Sequence, residues 1–269
     1  MASLLALFAS LLWGTSEFYG GKLSKKHPAL AVTAVSQAIG LVIGVTIVLV
    51  STSWIKPDLS WEGYFLPGVM AGSLGFIGLV AFYSGLATGR MGVVAPISAL
   101  SVVIPITIAF INGEKPTSLQ IIGMSVALIG AVCASGPEIK GGLAVRPIIL
   151  AVIAACGFGG AVAFIAKGSA TSALMTMTTM RFTTFTVAIF LFARFRSVGG
   201  LSKKDLPILI LIGGADFAGN LLLGVATTKG LVSVAVVLGA LYPIITALLA
   251  YKFLNEVLHK IQYLSLIHI

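Results

Sequence analysis

Charge is what this sequence has least of. Asp, Glu, Lys and Arg make up 9% of its 269 residues, hydrophobic residues 58%, and the mean hydropathy is +1.09. Soluble domains carry roughly 25% charged residues, so a water-facing surface over most of the chain is excluded. Cysteine and histidine are also scarce, two and three residues, and none stand at metal-ligand spacing. That excludes a disulfide framework and a His/Cys metal centre, and no Ser, His and acid set falls at one depth for nucleophilic catalysis. The polar/apolar alternation of a membrane barrel strand is missing too. Gly20-Gly21 and Gly159-Gly160 follow no strand and precede no Gly-Lys-Ser/Thr, so neither is a phosphate loop.

What is present is long apolar runs. A helix needs ~20 apolar residues to cross the hydrocarbon core, and the charged or Pro/Gly-marked breaks divide the chain into nine such segments. They run roughly over 2–21, 28–50, 64–86, 91–111, 117–135, 147–166, 172–193, 206–226 and 231–252. The expected class is therefore all-α, a polytopic protein whose first partner is the lipid bilayer. The first segment has no basic stretch before it and no small-residue cleavage site before Trp13-Gly14, so it reads as a retained helix. Trp54 and Trp61 flank the second loop as interfacial anchors.

The net charge of +9 is dispersed over loops, without an amphipathic basic face, which argues against nucleic acid as a partner. It reads better as a topology signal. The loops after helices 1, 3, 5, 7 and 9 hold Lys22, Lys25, Lys26, Arg90, Lys140, Arg146, Arg194, Arg196, Lys203, Lys204, Lys252 and Lys260; the other side holds Lys56, Lys115, Lys167 and Lys229. The positive-inside rule then places the N-terminus outside.

An internal repeat organises these segments. LPGVMAGSLGFIGLVAFYSGLATGRMG (66–92) matches LPILILIGGADFAGNLLLGVATTKG (206–230): Leu-Pro, a Gly-X-Ala-Thr turn, a basic residue, a Gly. Gly92 to Pro105 and Gly230 to Pro243 are both 13 positions, and Glu114 and Gln120 pair with Glu256 and Gln262 across a gap of four residues. Five helices per copy is an odd number, so the second copy enters the membrane from the opposite side. Inverted repeats of this kind open a central site to each side in turn.

Polar side chains inside the spans mark where that site lies. Asp216, in the run LPILILIGGADFAGNLLLGVATT (206–228), sits within one residue of mid-span, with Asn220 four residues on along the same helix face. A carboxylate at that depth costs several kcal/mol unless it faces the bundle interior, a partner or water. Glu17 is a second acid, ~6 Å from the middle of helix 1 at the helical rise, and Arg181 is a basic residue close to the middle of helix 7. Two acids and one base leave one carboxyl without a cationic partner, a group suited to carrying protons; Asp216 is the first candidate and Glu17 the second. Arg181 could equally lock one acid into an ion pair that only holds helices together.

Trp13, Tyr19, Tyr83 and Tyr242 are candidates for lining a cavity, although lone membrane aromatics more often serve packing. Pro28, Pro67, Pro116, Pro147 and Pro207 stand near helix starts, where a missing N–H costs nothing. Pro96, Pro105 and Pro243 fall within spans, on equivalent helices of the two halves, and are expected to kink them as hinges or as packing bends.

WGTSEF in helix 1, APISALSVVIP with NGEKPTSLQIIG across helices 4 and 5, MRF in helix 7 and LYPIITALLAYKFLNE in helix 9 resemble the EamA-type, ten-helix branch of the drug/metabolite transporter superfamily. The resemblance covers essentially the whole chain and implies two EamA-like repeats, 1–136 and 137–269. It implies a small-molecule carrier for amino acids, sugars, other metabolites or drugs, working by export or exchange without a cofactor. A bacterial cytoplasmic membrane is the expected location. The family implies a cytoplasmic N-terminus, opposite to the basic-residue distribution. It also supplies a tenth helix, whose first turns fall at YLSLIHI, so the chain reads as truncated there and His268 as no part of a native helix. A membrane-embedded lipid-handling enzyme using Glu17 and Asp216 as an acid pair, or a channel, are the readings from other classes.

Overall fold

The computed structural model describes residues 1–88, 91–134, 145–195 and 199–254. Ten helices follow in order among these residues: α1 (Ala2–Ser24), α2 (Ala29–Val50), α3 (Phe65–Thr88), α4 (Met91–Ala99), α5 (Val103–Ile111), α6 (Ser118–Ala134), α7 (Val145–Phe195), α8 (Leu206–Thr227), α9 (Val232–Gly239) and α10 (Tyr242–Leu254). No strand occurs among the described residues. Among the described residues, five stretches are long and apolar enough to cross a membrane: Ala29–Val50, Phe65–Thr88, Val145–Arg194, Lys203–Thr227 and Val232–Phe253.

These elements reproduce the nine expected segments once three breaks are located. The 51 residues of α7 are two arms, because Ser172 is extended (φ −165°, ψ 112°) and its Oγ accepts the Met175 N–H at 3.2 Å, capping the second arm. The arms, 145–171 and 173–195, are the sixth and seventh segments. The fourth segment is α4 and α5 joined by a 3-10 turn at Leu100–Val102, and the ninth is α9 and α10, broken at Ala240-Leu241. Pro105 and Pro243 sit in the first turn of α5 and α10, directly after each break, so the interruption expected of each proline takes the form of a break one turn before it. In a first turn the missing N–H has no intrahelical partner to lose. Pro96 lies within α4; its side chain, like that of Cys133, is outside the described residues. So are Arg90, Lys140, Arg196, Lys260 and His259, and the expected start of a tenth helix with Glu256, Gln262 and His268.

The halves are interleaved. α3 packs along both arms of α7, and α8 packs along α1 and α2. Since the arms of α7 occupy in the second half the places of α1 and α2 in the first, these are one contact seen from either half. Likewise α4 and α5 lie on α7 while α9 and α10 lie on α1. Glycine permits the closest approaches: a Cβ on Gly72 would stand 2.6 Å from the Met180 carbonyl oxygen, and one on Gly157 2.7 Å from the Gly78 Cα. Five spans precede α7 in the chain, so the second half enters from the opposite side and this pairing is that of an inverted repeat.

Most large exposed side chains are apolar, among them Phe8, Val42, Ile77, Ile122, Ile149 and Phe190. That is the surface lipid requires and water would penalise. Toward the face carrying the loops after α1 and α3, a cluster including Leu23, Val32, Leu86, Val94, Ala151 and Leu209 closes the bundle. At the opposite face the loop after α2 is tied down by Lys167 Nζ to Glu62 Oε1 at 3.2 Å, Thr171 Oγ1 donating to the Glu62 carbonyl at 2.9 Å, and Tyr64 donating to the Ile55 carbonyl at 2.6 Å. In the same loop the hydroxyl and amide of Ser60 hold the Asp58 carboxyl below its ordinary value.

Candidate functional site

α1, α2, α7 and α8 meet at mid-bundle, and each contributes polar side chains. Asp216 of α8 and Arg181 of α7 form an ion pair, Nη2 to Oδ2 2.9 Å. Gln37 of α2 bridges them, its Nε2 donating to Asp216 Oδ2 at 2.8 Å and its Oε1 accepting from Arg181 Nη1. Asn220, one turn along α8, donates its Nδ2 to the Asp216 carbonyl at 2.7 Å and to Oδ1 at 3.1 Å. Arg181 is 1% exposed, and Gly40 of α2 leaves the room it needs: a Cβ there would lie 3.2 Å from its Nε.

Glu17 of α1 belongs to the same site and is treated differently. It is 8% exposed, and its Oε2 has no hydrogen-bond partner among the described residues. Asp216, the first sequence candidate for an unpaired acid, is thus the one the arginine holds, and the surplus carboxyl is Glu17. α1 is held against α8 by Ser16 Oγ donating to the Ile212 carbonyl at 3.0 Å, and against α10 by Thr246 Oγ1 donating to the Gly14 carbonyl at 3.2 Å.

These side chains line one cavity of about 70 Å³. Trp13, Glu17, Arg181, Asp216, Asn220, Tyr242 and Pro105 all reach it. The rings of Trp13 and Tyr242 stand edge to face, 6.4 Å between centroids, and the Tyr242 hydroxyl is buried without a hydrogen-bond partner among the described residues. Tyr83 does not line this cavity. It is fully buried in the core beside Phe82, filling the space left by Gly20, where a Cβ would collide with its ring and hydroxyl oxygen.

Sequence reasoning missed Gln37, the hub of the network, and the signal was available: it is the only amide in the apolar run of α2. It also missed a second cavity of about 500 Å³, which shares Pro105 with the first and reaches Asn112, Glu114, Lys167 and Val232. This vestibule lies between α5, the first arm of α7 and α9. At its rim Glu114 spans the halves, Oε1 accepting the Val232 N–H at 2.6 Å and Oε2 the Ser233 N–H at 3.0 Å. The N-cap residue of α9, Leu231, makes no side-chain cap, so Glu114 satisfies first-turn amides that otherwise lack partners. Glu114→Ala is expected to lower stability by about 1 kcal/mol, read as a drop in the midpoint of thermal unfolding in detergent; an unchanged midpoint would refute the cap.

On the opposite face α10 lies against α1. Phe253 packs on Phe18 and Tyr19 at centroid separations of 6.2 and 6.5 Å.

The family model described as the EamA-like transporter family matches residues 1–136 and again residues 145–269. No curated protein sequence matches the chain. A solved crystal structure superposes with a TM-score of 0.78 over 99% of this chain and 92% of the other, at 17% identity, a likeness of fold.

Proposed function

The chain belongs to the EamA-like transporter family, a membrane transporter of the drug/metabolite type, and from that premise we propose that it is a proton-coupled secondary carrier of a small molecule. The observation that carries this reading is a buried carboxyl, Glu17, with no cationic partner among the described residues, in the cavity where the two repeats meet. A carboxylate isolated from water is costly when charged, so it changes protonation readily as its access to water changes. The groups facing it are Asp216 from α8, Tyr83 from α3 and Tyr242 from α10, with Arg181 of α7 beyond Asp216. Asp216, neutralised by Arg181 and hydrogen-bonded by Gln37, serves in this reading as the fixed floor of the site.

The repeats, 1–136 and 137–269, are the moving units. Substrate enters through the vestibule beside Pro105, between α5, the first arm of α7 and the start of α9. The aromatic contact of Phe253 with Phe18 and Tyr19 is the matching seal on the other face, and exchange between the two arrangements gives alternating access. A cavity of about 70 Å³ is far below the several hundred Å³ of a drug-sized site, in keeping with a closed resting state or a small substrate.

Counterflow in reconstituted vesicles tests the reading. Vesicles preloaded with amines, amino acids and sugars are expected to show saturable, trans-stimulated uptake of one of these classes, with proton movement in the opposite direction followed by an internal pH dye. Glu17→Gln is expected to abolish the proton movement. Flux without trans-stimulation would indicate a channel, chemical conversion an enzyme, and full proton movement through Glu17→Gln would remove Glu17 from the mechanism.

A further inference from the structure

The vestibule of about 500 Å³ is polar at one end only. Toward mid-bundle its walls are Ile104, Pro105, Ala109, Gly160 and Ala163, and water there would find no side chain to hydrogen-bond. Asn112 and Lys167 stand at the loop end, ~10 Å further along their helices than Pro105 and Gly160 at the helical rise. Ile108 belongs both to this wall and to the outer surface, 41% exposed, with Ile111 next along that face at 78%. The apolar wall therefore runs out onto the lipid-facing side of the bundle.

The polar end lies at headgroup depth. Trp61, an interfacial anchor, has its ring 6.2 Å from that of Phe164 in the wall, and Lys167 follows one turn nearer the loop. The Lys167 ammonium is 43% exposed and pairs with Glu62, itself 88% exposed, a surface contact of little strength that an anion can displace. Glu114 is already engaged by the Val232 and Ser233 amides. Lys115 and Lys229, in the neighbouring loops of the same face, add positive potential.

From this arrangement we infer that the vestibule binds one acyl chain of an anionic phospholipid of the surrounding bilayer, the chain lying between α5 and the first arm of α7 toward Pro105 and the phosphate on Lys167 Nζ. A cationic head would be repelled by Lys167, and a soluble anion would leave the apolar end without a partner. Pro105 also lines the central cavity, so the bound chain closes this route to a small molecule until it withdraws. Lipid binding goes beyond the carrier reading and is measured without transport.

The full chain in phosphatidylcholine nanodiscs, with a minor share of phosphatidylglycerol carrying a diazirine near the end of one acyl chain, gives the test. After irradiation, mass spectrometry of the digested protein is expected to find adducts on residues 104–109 and 160–166, suppressed by excess unlabelled phosphatidylglycerol but not by phosphatidylcholine. Lys167→Gln should lower this labelling about threefold, the value of an exposed charge pair. Glu62→Gln, which frees the ammonium, should preserve or raise it. Ala163→Phe, which fills the apolar end, should remove it while labelling of the outer faces of α2 and α6 stays the same. Each variant's unfolding midpoint reports whether it folds. Labelling spread evenly over the outer faces, equal labelling by a phosphatidylcholine probe, or undiminished labelling of folded Lys167→Gln and Ala163→Phe proteins would each overturn the site. Saturable counterflow with no vestibule labelling would overturn the lipid site and leave the carrier reading standing; vestibule labelling without any counterflow would do the reverse.

Discussion

Arg181→Met is expected to destabilise the folded protein by about 3–5 kcal/mol, the cost of removing one member of a buried ion pair. Methionine fills much of the arginine's volume, so the loss is electrostatic more than steric. Without the guanidinium, the Asp216 carboxylate keeps only the amides of Gln37 and Asn220, the Gln37 oxygen loses its donor, and two acids share one cavity with no base. Asp216→Asn should cost less, because the amide retains an oxygen for Gln37 and Glu17 remains nearby as a counter-charge. The double variant Arg181→Met/Asp216→Asn should recover most of the loss, since a buried pair replaced by neutral groups of similar volume is often tolerated. Reversible unfolding of the four proteins in one detergent gives the coupling as a double-mutant cycle. An Arg181→Met protein within about 1 kcal/mol of the parent would mean the pair is not the link between α7 and α8 that its geometry describes.

The ionisable members of this network are legible in the sequence, but its wiring is not. Span lengths and apolar runs are properties of a single stretch, so the nine segments were legible, and the break in α7 at Ser172 falls on the first residue of the expected seventh segment. The repeat was legible because Pro, Gly and charged residues recur at fixed spacing. Depth in the membrane follows from position along a helix, which is why Glu17, Arg181, Asp216 and Asn220 were found and do meet around one cavity. Which acid the arginine neutralises depends on helix rotation and on a third residue, Gln37, whose partners are 144 and 179 positions away in the chain. Sequence spacing holds no information on that scale. Tyr83 shows the same limit: its depth suits a cavity, but it fills the space over Gly20 and lies beside Glu17 without lining the cavity. The vestibule is formed by parted helices and so belongs to the packing alone.

Gly213→Ala and Gly214→Ala, one residue apart on the same helix, are expected to have opposite effects. A Cβ on Gly213 would collide with the Ser36 carbonyl oxygen and lie 3.2 Å from the Ile39 Cβ. The obstacle is helix backbone, which no rotamer change relieves, so α8 and α2 must separate by about 1 Å to reach ordinary contact, at a cost of about 2–3 kcal/mol for overpacking. The damage extends to the site, because Gln37 directly follows Ser36 and Asp216 lies about one helical turn beyond Gly213. Parting the helices therefore stretches the 2.8 Å bond between Gln37 and Asp216 and loosens the floor beneath Glu17. Gly214 points elsewhere: a Cβ there would meet only the Ile43 Cδ1, at an ordinary 3.6 Å. Alanine at 214 should stabilise the helix by up to about 1 kcal/mol through its better propensity. Unfolding midpoints and counterflow rates of the two variants separate close approach from helix propensity. Similar effects at both positions would show that Gly213 does not set the spacing on which the ion-pair network depends.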